Sequence, residues 1–595
     1  MEPLSKGSGS ALNRSVLIPM NEEKRMGEVK SRWRGLLQKR FTFSVRTFSF
    51  IVIGLFAGGL LTGFFRNSDD DLVLRIHRWI NVFGKVYTDV ALNYVDEVDP
   101  ERFMHAGIDG MLKTLDPYTV YLGEKETDEM DLVTTGKYAG IGVTIGMRDG
   151  HVTVISPMEG FSAAKQGIQS GDRILEIDGK SLKGVSLDEV RMMVRGVPGT
   201  TVKMKIEREG EPKPIEFVLI REEIPVRNVT YAGFVENGIG YIRLERFSRT
   251  AGDDVRASIK ELRDKGAVKS VILDLRDNPG GLLDIAVDVV SKFVPESTLV
   301  VSTKGRRLDS ERKYYSMEKP LLPDVPMAVL VDRGSASASE IVAGSIQDLD
   351  RGVIVGTRSF GKGLVQTITR ISENSSLKIT SGRYYTPSGR SIQEIDYFHR
   401  TKDGVFTVKP DSMRKEFRTA HNRKVLDGGG IVPDSTVPDD SSSKLLEELA
   451  RKAMLFKYAN HLAAEKKMIP DDFVITDELM KDFEAFLKER DFQYEEDAEI
   501  KLKELRAAAE KARYGKLFNE EIDRVVKVVS AEKSRVLERY NKELRKALRL
   551  EIIERMKGEK AAIQASLKDD TQVQVAATLL KNRKVYDKLL SNRNK

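Results

Sequence analysis

Nineteen consecutive residues, Thr47 to Phe65 (TFSFIVIGLFAGGLLTGFF), carry no charge. No other feature restricts this chain so strongly. A helix of about twenty apolar residues crosses the hydrocarbon core of a bilayer, whereas a buried helix of a soluble domain is uncommon at this length without a charge. A cleaved signal peptide has a shorter apolar region, about 7–15 residues, ending in an A-x-A-like site. No such site follows this run. The 46 residues before it hold ten Lys/Arg against four Glu. The positive-inside rule keeps that flank in the cytoplasm and sends everything after Arg66 across the membrane. The expectation is a cytoplasmic basic segment (1–46) and an uncleaved signal anchor (47–65).

The formal net charge of the 595 residues is +7. The flank holds +6 of it. Residues 441–595, with 34 Lys/Arg and 29 Asp/Glu, hold +5, so the stretch between is −4. The excess therefore sets topology and is no nucleic-acid footprint: the tail has neither a tight basic patch nor interleaved aromatics. The absence of cysteine excludes disulfide frameworks, thiolate zinc sites and a cysteine nucleophile.

Past the anchor, residues 72–125 have mostly helical spacing (Leu72, Ile76, Trp79, Ile80, Val82). From Tyr138 to about Ile220 short alternating strands are punctuated by glycine. From about 223 to 440, strand-like runs such as VILDL (271–275) and MAVLVD (327–332) alternate with helical ones, the signature of an α/β core. Residues 441–595 hold their last proline at Pro470 and read as a helical extension.

Three segments of the α/β region carry chemistry. Residues 334–340, Gly-Ser-Ala-Ser-Ala-Ser-Glu, follow MAVLVD and precede a helical pattern. A small-residue turn at a helix N-terminus exposes a serine oxygen where free N–H groups and the helix dipole favour an oxyanion. Serines before helices are also common caps. A helix of about a dozen residues travels roughly 18 Å, and the strand VIVG (353–356) with the turn TRSFGKG (357–363) covers a similar return. Lys362 therefore comes back towards the serine turn. A lysine made neutral by burial can replace histidine as a base. None of His77, His105, His151, His399, His421 and His461 lies in a protease motif. The third segment is DLRDNPGGLLD (274–284), whose paired glycines can turn backbone N–H groups towards an oxyanion.

Together, GSASASEIVAGSIQD (334–348), SFGKGLVQT (359–367) and DLRDNPGG (274–281) resemble the carboxyl-terminal processing peptidases, also called tail-specific proteases. DGMLKTLDPYTVYL (109–122), SGRYYTPSGRSIQ (381–393) and DGGGIVPD (427–434) extend the resemblance. It implies a ClpP/crotonase-like α/β serine protease core (223–440) with a PDZ domain inserted before it (130–222). It implies Ser337 as nucleophile and Lys362 as general base. Gln366, an even offset from Lys362 along a strand, would orient the lysine. The N–H of Ala338 and that of Gly280 or Gly281 would form the oxyanion hole. Ser335 and Ser339 are the competing serines, Ser339 expected as the helix cap. No metal or cofactor is required.

Residues 138–143 and the string from Ala163 to Gly179 resemble a PDZ domain. Its loop Gly140-Ile141-Gly142 would meet a terminal carboxylate, and the strand from Val143 would pair with the tail. Val190 and Met193, three apart on a helix, are candidates for the tail pocket, with core packing as the alternative. Gly160-Phe161-Ser162 departs from the family's Gly-Ser-Pro. The whole reads as a serine endopeptidase of the bacterial inner membrane, its catalytic part in the periplasm, acting on proteins with C-terminal tails. The alternative is a catalytically silent PDZ scaffold. The extension 441–595 could serve oligomerisation or an adaptor.

Overall fold

The computed structural model describes residues 68–123, 135–236, 238–372, 375–400, 406–408, 410–439, 443–466, 468–533 and 535–591. The expected anchor, 47–65, and its basic flank lie outside them. Among the described residues no helix is long and apolar enough to cross a membrane.

The chain forms two compact units, the first ending at Ala106. The first contains helix α1 (Ser68–Asn93) and the start of α2 (Pro100–Leu112). Leu72, Ile76, Trp79 and Phe83 recur along α1 with alternating steps of four and three, and all are exposed.

The second unit opens, after a short strand at Val120–Leu122, on a glycine-rich module. Strands β1 (Val143–Arg148), β2 (His151–Pro157), β3 (Arg173–Ile177), β4 (Thr201–Glu207) and β5 (Ile215–Ile220) form an antiparallel sheet in the order β1-β2-β3-β4-β5. Helix α3 (Leu187–Val194) starts at a reciprocal cap: Ser186 N–H donates to Glu189 Oε2 and Glu189 N–H to Ser186 Oγ. Its Val190 and Val194 are buried with Ile145, Val154, Ile174 and Met204. The flanking segments Lys137–Gly140 and Glu222–Pro225 pair antiparallel, closing the module at its root.

Strands β6 (Val229–Glu236), β7 (Ile239–Leu244), β8 (Ser270–Asp274), β10 (Met327–Val331), β11 (Val353–Gly356) and β14 (Ser435–Thr436) lie in that order in one sheet, parallel except for β6 with β7. Unbroken apolar runs belong in strands covered on both faces, and the side chains divide with period two. Val271 and Leu273 of β8 and Val329 and Val331 of β10 face helices α4 (Ala251–Lys265), α5 (Leu283–Ser291) and α6 (Ala338–Asp348). Ile272, Ala328, Leu330, Val353 and Val355 face the other way. A second sheet joins β9 (Leu299–Gly305), β12 (Leu364–Ser372) and β13 (Ser375–Tyr385), with Val120–Leu122 at its edge.

The open face of the core sheet is covered by the carboxyl-terminal extension. Val573, Ala576, Ala577 and Leu580 of helix α9 (Thr571–Lys581), with Ile563, Leu567 and Tyr586, share a cluster with the sheet residues. The Tyr586 hydroxyl accepts from Met327 N–H at 2.9 Å and donates to Met327 O at 3.0 Å. Earlier helices α7 (Met454–Glu465) and α8 (Asn541–Lys557) build a separate core around Tyr458, Phe483, Leu544 and Ile552.

Candidate active site

Ser337 sits one residue before α6 with φ +54°, in a region that side-chain-bearing residues rarely adopt. Strain of this kind persists only where the surroundings over-determine it. They do. Leu275 O accepts from Ser335 Oγ (2.8 Å), and Asn278 O accepts from Ala336 N–H (3.0 Å) and Ser339 Oγ (2.8 Å). Asp332 accepts the N–H groups of Asp277, Gly334 and Ser335. The loop 275–281 and the serine turn are thus zipped together. Ser335 and Ser339 are fully buried in the zipper, while Ser337 keeps access to solvent. Ser339, expected as the helix cap, instead bonds the neighbouring loop.

Glu340, the last residue of the segment 334–340, is fully buried. Its Oε2 accepts the N–H of Ser337 (2.9 Å) and of Lys362 (2.9 Å). Its Oε1 accepts Gly361 N–H (2.7 Å) and Ser359 Oγ (2.6 Å). One carboxylate therefore fixes the serine turn and the lysine loop together. Burial pushes its pKa up to about 7, and these four donors hold it from going higher. Tyr384 repeats the link from the carbonyl side: its buried hydroxyl lies 3.1 Å from Ser337 O and also reaches Lys362 O. The spacing Ser337-x-x-Glu340 is that of a capping box, so the sequence carried a signal for Glu340. Tyr384, on a strand of the second sheet, had none.

Lys362 lies in the extended segment before β12 and is partly buried. Burial brings its ammonium down to about 8, the charge of Lys378 adding to the effect and Glu340 and Asp116 opposing it. Its Nζ stands 4.4 Å from the centre of the Tyr118 ring. No hydrogen bond joins it to Ser337 Oγ among the described residues. Tyr118 is placed by an Asx turn: Asp116 Oδ1 accepts the N–H groups of Tyr118 (2.8 Å) and Thr119 (2.9 Å). Among the described residues no hydrogen bond joins Gln366 to Lys362; Gln366 donates to Thr380 Oγ1 at 3.3 Å. Lys362 lies two residues before β12 begins at Leu364, and the pairing of β12 with β13 shifts register between Val365 and Gln366, so the two side chains do not share one regular strand.

Gly280 has φ +98°, and a Cβ there would lie 2.6 Å from Ala336 O, 2.8 Å from Ala338 N and 3.0 Å from Ser337 Cβ. Only glycine fits so close to the serine turn. The Gly280 N–H, however, donates to Asn278 Oδ1 at 2.9 Å. Gly281, the other of the pair, lies against Phe247, with which it forms an isolated parallel bridge.

In the glycine-rich module β1 is an edge strand with β2 as its partner. The carbonyls of Ile141 and Gly142 accept from Ala163 and Met158 N–H. Gly142 has φ +77°, and Phe161, one of the two residues that depart from the family pattern, closes over it so that a Cβ would collide. Gly140 pairs with Glu222 at the root of the module. Val143, at the start of β1, is partly buried. Val190 and Ile141 are 0% and 1% exposed, so Val190 belongs to the core and not to an open tail pocket. Met193 is partly exposed and packs against that core.

Four family models match the chain: Peptidase family S41 over residues 238–405, PDZ domain over 129–207, the C-terminal helical domain of a probable PDZ-protease over 445–580, and the N-terminal domain of the activating protease CtpB over 68–127. A carboxy-terminal-processing protease of Bartonella bacilliformis is 38% identical over 354 residues, covering 59% of this chain and 81% of that one. Carboxy-terminal processing protease CtpB of Bacillus subtilis is 33% identical, over 53% of this chain and 68% of its own. Among solved structures, the photosystem II D1 C-terminal processing protease is 25% identical over 60% of this chain and 92% of its own, with a TM-score of 0.32.

Proposed function

The chain belongs to peptidase family S41, among the carboxy-terminal processing proteases, and on that premise we propose that Ser337 is its nucleophile and Lys362 its general base. Neutral Lys362 leaves the Tyr118 ring and takes the Ser337 proton as Oγ attacks a peptide carbonyl. The tetrahedral oxyanion is met by the N–H groups of Ala338 and of one of the paired glycines, Gly280 or Gly281. Collapse breaks the C–N bond, and Lys362 returns the proton to the leaving amine. Water, deprotonated by the same lysine, then hydrolyses the ester to release the new carboxylate and restore Ser337. Gln366 serves the second sheet near the lysine loop. The observation that carries this reading is the shared anchoring of Ser337 and Lys362 on Glu340 and Tyr384.

The PDZ domain presents edge strand β1 to the C-terminal tail of a substrate protein, which adds to it as a further strand. The charge-free run 47–65 anchors the enzyme in the inner membrane of a bacterial cell, with the protease in the periplasm. A substrate with a free apolar C-terminus is cleaved by the purified chain, its amidated twin more slowly, and Ser337→Ala and Lys362→Ala cleave neither. Tail binding without cleavage by the wild-type chain would leave a silent scaffold. A topology reporter fused after Arg66 and reading cytoplasmic would remove the anchor.

A further inference from the structure

The extension 441–595 does more than cover a sheet face. Its helix α9 begins at the loop that meets the serine turn. Asp570 caps α9 by accepting Val573 N–H at 2.9 Å. The same carboxylate binds Arg276, with Nη1 to Oδ1 at 3.2 Å and Nη2 to Oδ2 at 2.8 Å. Gln572 Oε1 accepts from Arg276 Nη1 at 3.1 Å, and its Nε2 donates to Val437 O and Asp439 Oδ1. From its other edge Arg276 holds Asp274 at the end of β8, which also accepts from the Tyr241 hydroxyl at 2.6 Å. The next residue, Asp277, is in the left-handed region at φ +57°, and its N–H begins the zipper to Asp332. A polar cleft of about 400 Å³ runs beside this junction, lined by Arg243, Arg276, Asp277, Asp332, Asp570 and Gln572 among others.

We propose that Arg276, Asp570 and Gln572 are positioning residues of the protease: the carboxyl-terminal helical segment holds loop 275–281 in register with Ser337. The loop has left-handed residues at Asp277 and Gly280, so its own chain does not single out one path. A planar guanidinium gripped on two edges by carboxylates does. The inference rests on the proteolytic reading of Ser337.

Asp570→Asn tests it, because asparagine still caps a helix while Arg276 loses one of its two carboxylate partners and keeps only Asp274. Cleavage of a tail-bearing substrate by the full chain falls about ten-fold in kcat with KM little changed, since small displacements at a reacting centre are costly. Hydrogen–deuterium exchange at the amides of 275–281 becomes faster, and Gln572→Ala acts in the same direction. Lys581→Ala is the control: Lys581 pairs with Glu236 at 2.9 Å at the far end of the same helix and holds helix to sheet without touching the loop. It leaves both readouts as in the wild type. Unchanged kcat and exchange in Asp570→Asn, or equal losses in Lys581→Ala, would overturn the proposal. Exchange is compared in the Ser337→Ala background. Cleavage of nothing by the wild-type chain would overturn the proteolytic reading, with the exchange comparison still deciding the loop.

Discussion

Ser335, Ser337 and Ser339 stand at alternate positions of one turn, and their surroundings give them different tasks. Ser335 and Ser339 spend their hydroxyls on carbonyls of the neighbouring loop. Alanine at either leaves a buried carbonyl with one partner fewer, an expected loss of about 1–3 kcal/mol in unfolding free energy. Ser337→Ala leaves stability within about 0.5 kcal/mol and abolishes turnover. Chemical denaturation beside a cleavage assay separates the three. In the proposed mechanism the proton passes through Lys362. Its base form is the neutral one, so kcat/KM rises with pH along a limb near 8, the value to which burial and Lys378 bring it. Lys378→Met removes a like charge, raises the Lys362 pKa and moves that limb to higher pH. A limb left in place would remove Lys378 from the account. Glu340 accepts four donors and gives none. Glutamine would turn an NH₂ group towards two of them, and kcat of Glu340→Gln falls by about a hundred-fold as the serine and lysine loops separate. Glu340 was legible, in principle, from its capping-box spacing. Tyr118 and Tyr384 were not: Tyr118 comes from a turn far away in the chain, and Tyr384 meets Lys362 only through the pairing of β12 with β13.

Among the elements, apolar runs and turn residues announced themselves best. VILDL and MAVLVD became β8 and β10, buried on both faces, and the helix after the serine turn runs from Ala338 to Asp348. A pattern of period two or 3.6 is a local property, which is why these readings held. Register is not local. The offset from Lys362 to Gln366 is even, but Lys362 lies two residues before the strand, and the strand slips against its partner between Val365 and Gln366. Likewise Val190 and Met193 share a helix face by spacing, yet only the packed module shows that Val190 lies wholly inside. Spacing is likewise silent on the glycine pair: the N–H of Gly280 is taken by Asn278. Gly280→Ala pushes a methyl group into Ala336 O, Ala338 N and Ser337 Cβ. Its expected outcome is a folded protein, judged by circular dichroism, with turnover lowered at least a hundred-fold as the oxyanion site and nucleophile move apart.

At the scale of the molecule, the second layer of the protease core comes from the far end of the chain. Truncation before Glu559 bares Ile272, Ala328, Leu330, Val353 and Val355. The shortened protein is expected to aggregate, read by light scattering, because a contiguous apolar face of that kind binds copies of itself. The sequence by itself determined the order of the modules, the charge-free run, the both-sides-buried strands and the motifs that name the family, since each is written in adjacent residues. It also placed a serine at a helix start and a lysine in a glycine turn. Only the tertiary structure decided which serine stays open to solvent, that Glu340 and Tyr384 bind the two loops to each other, and that the helical extension reaches the loop beside Ser337 through Asp570 and Gln572. Those facts depend on which surfaces meet. An amphipathic helix specifies that one of its faces must be covered; the partner is chosen by shape and hydrogen-bonding complementarity across hundreds of residues, which no local pattern records.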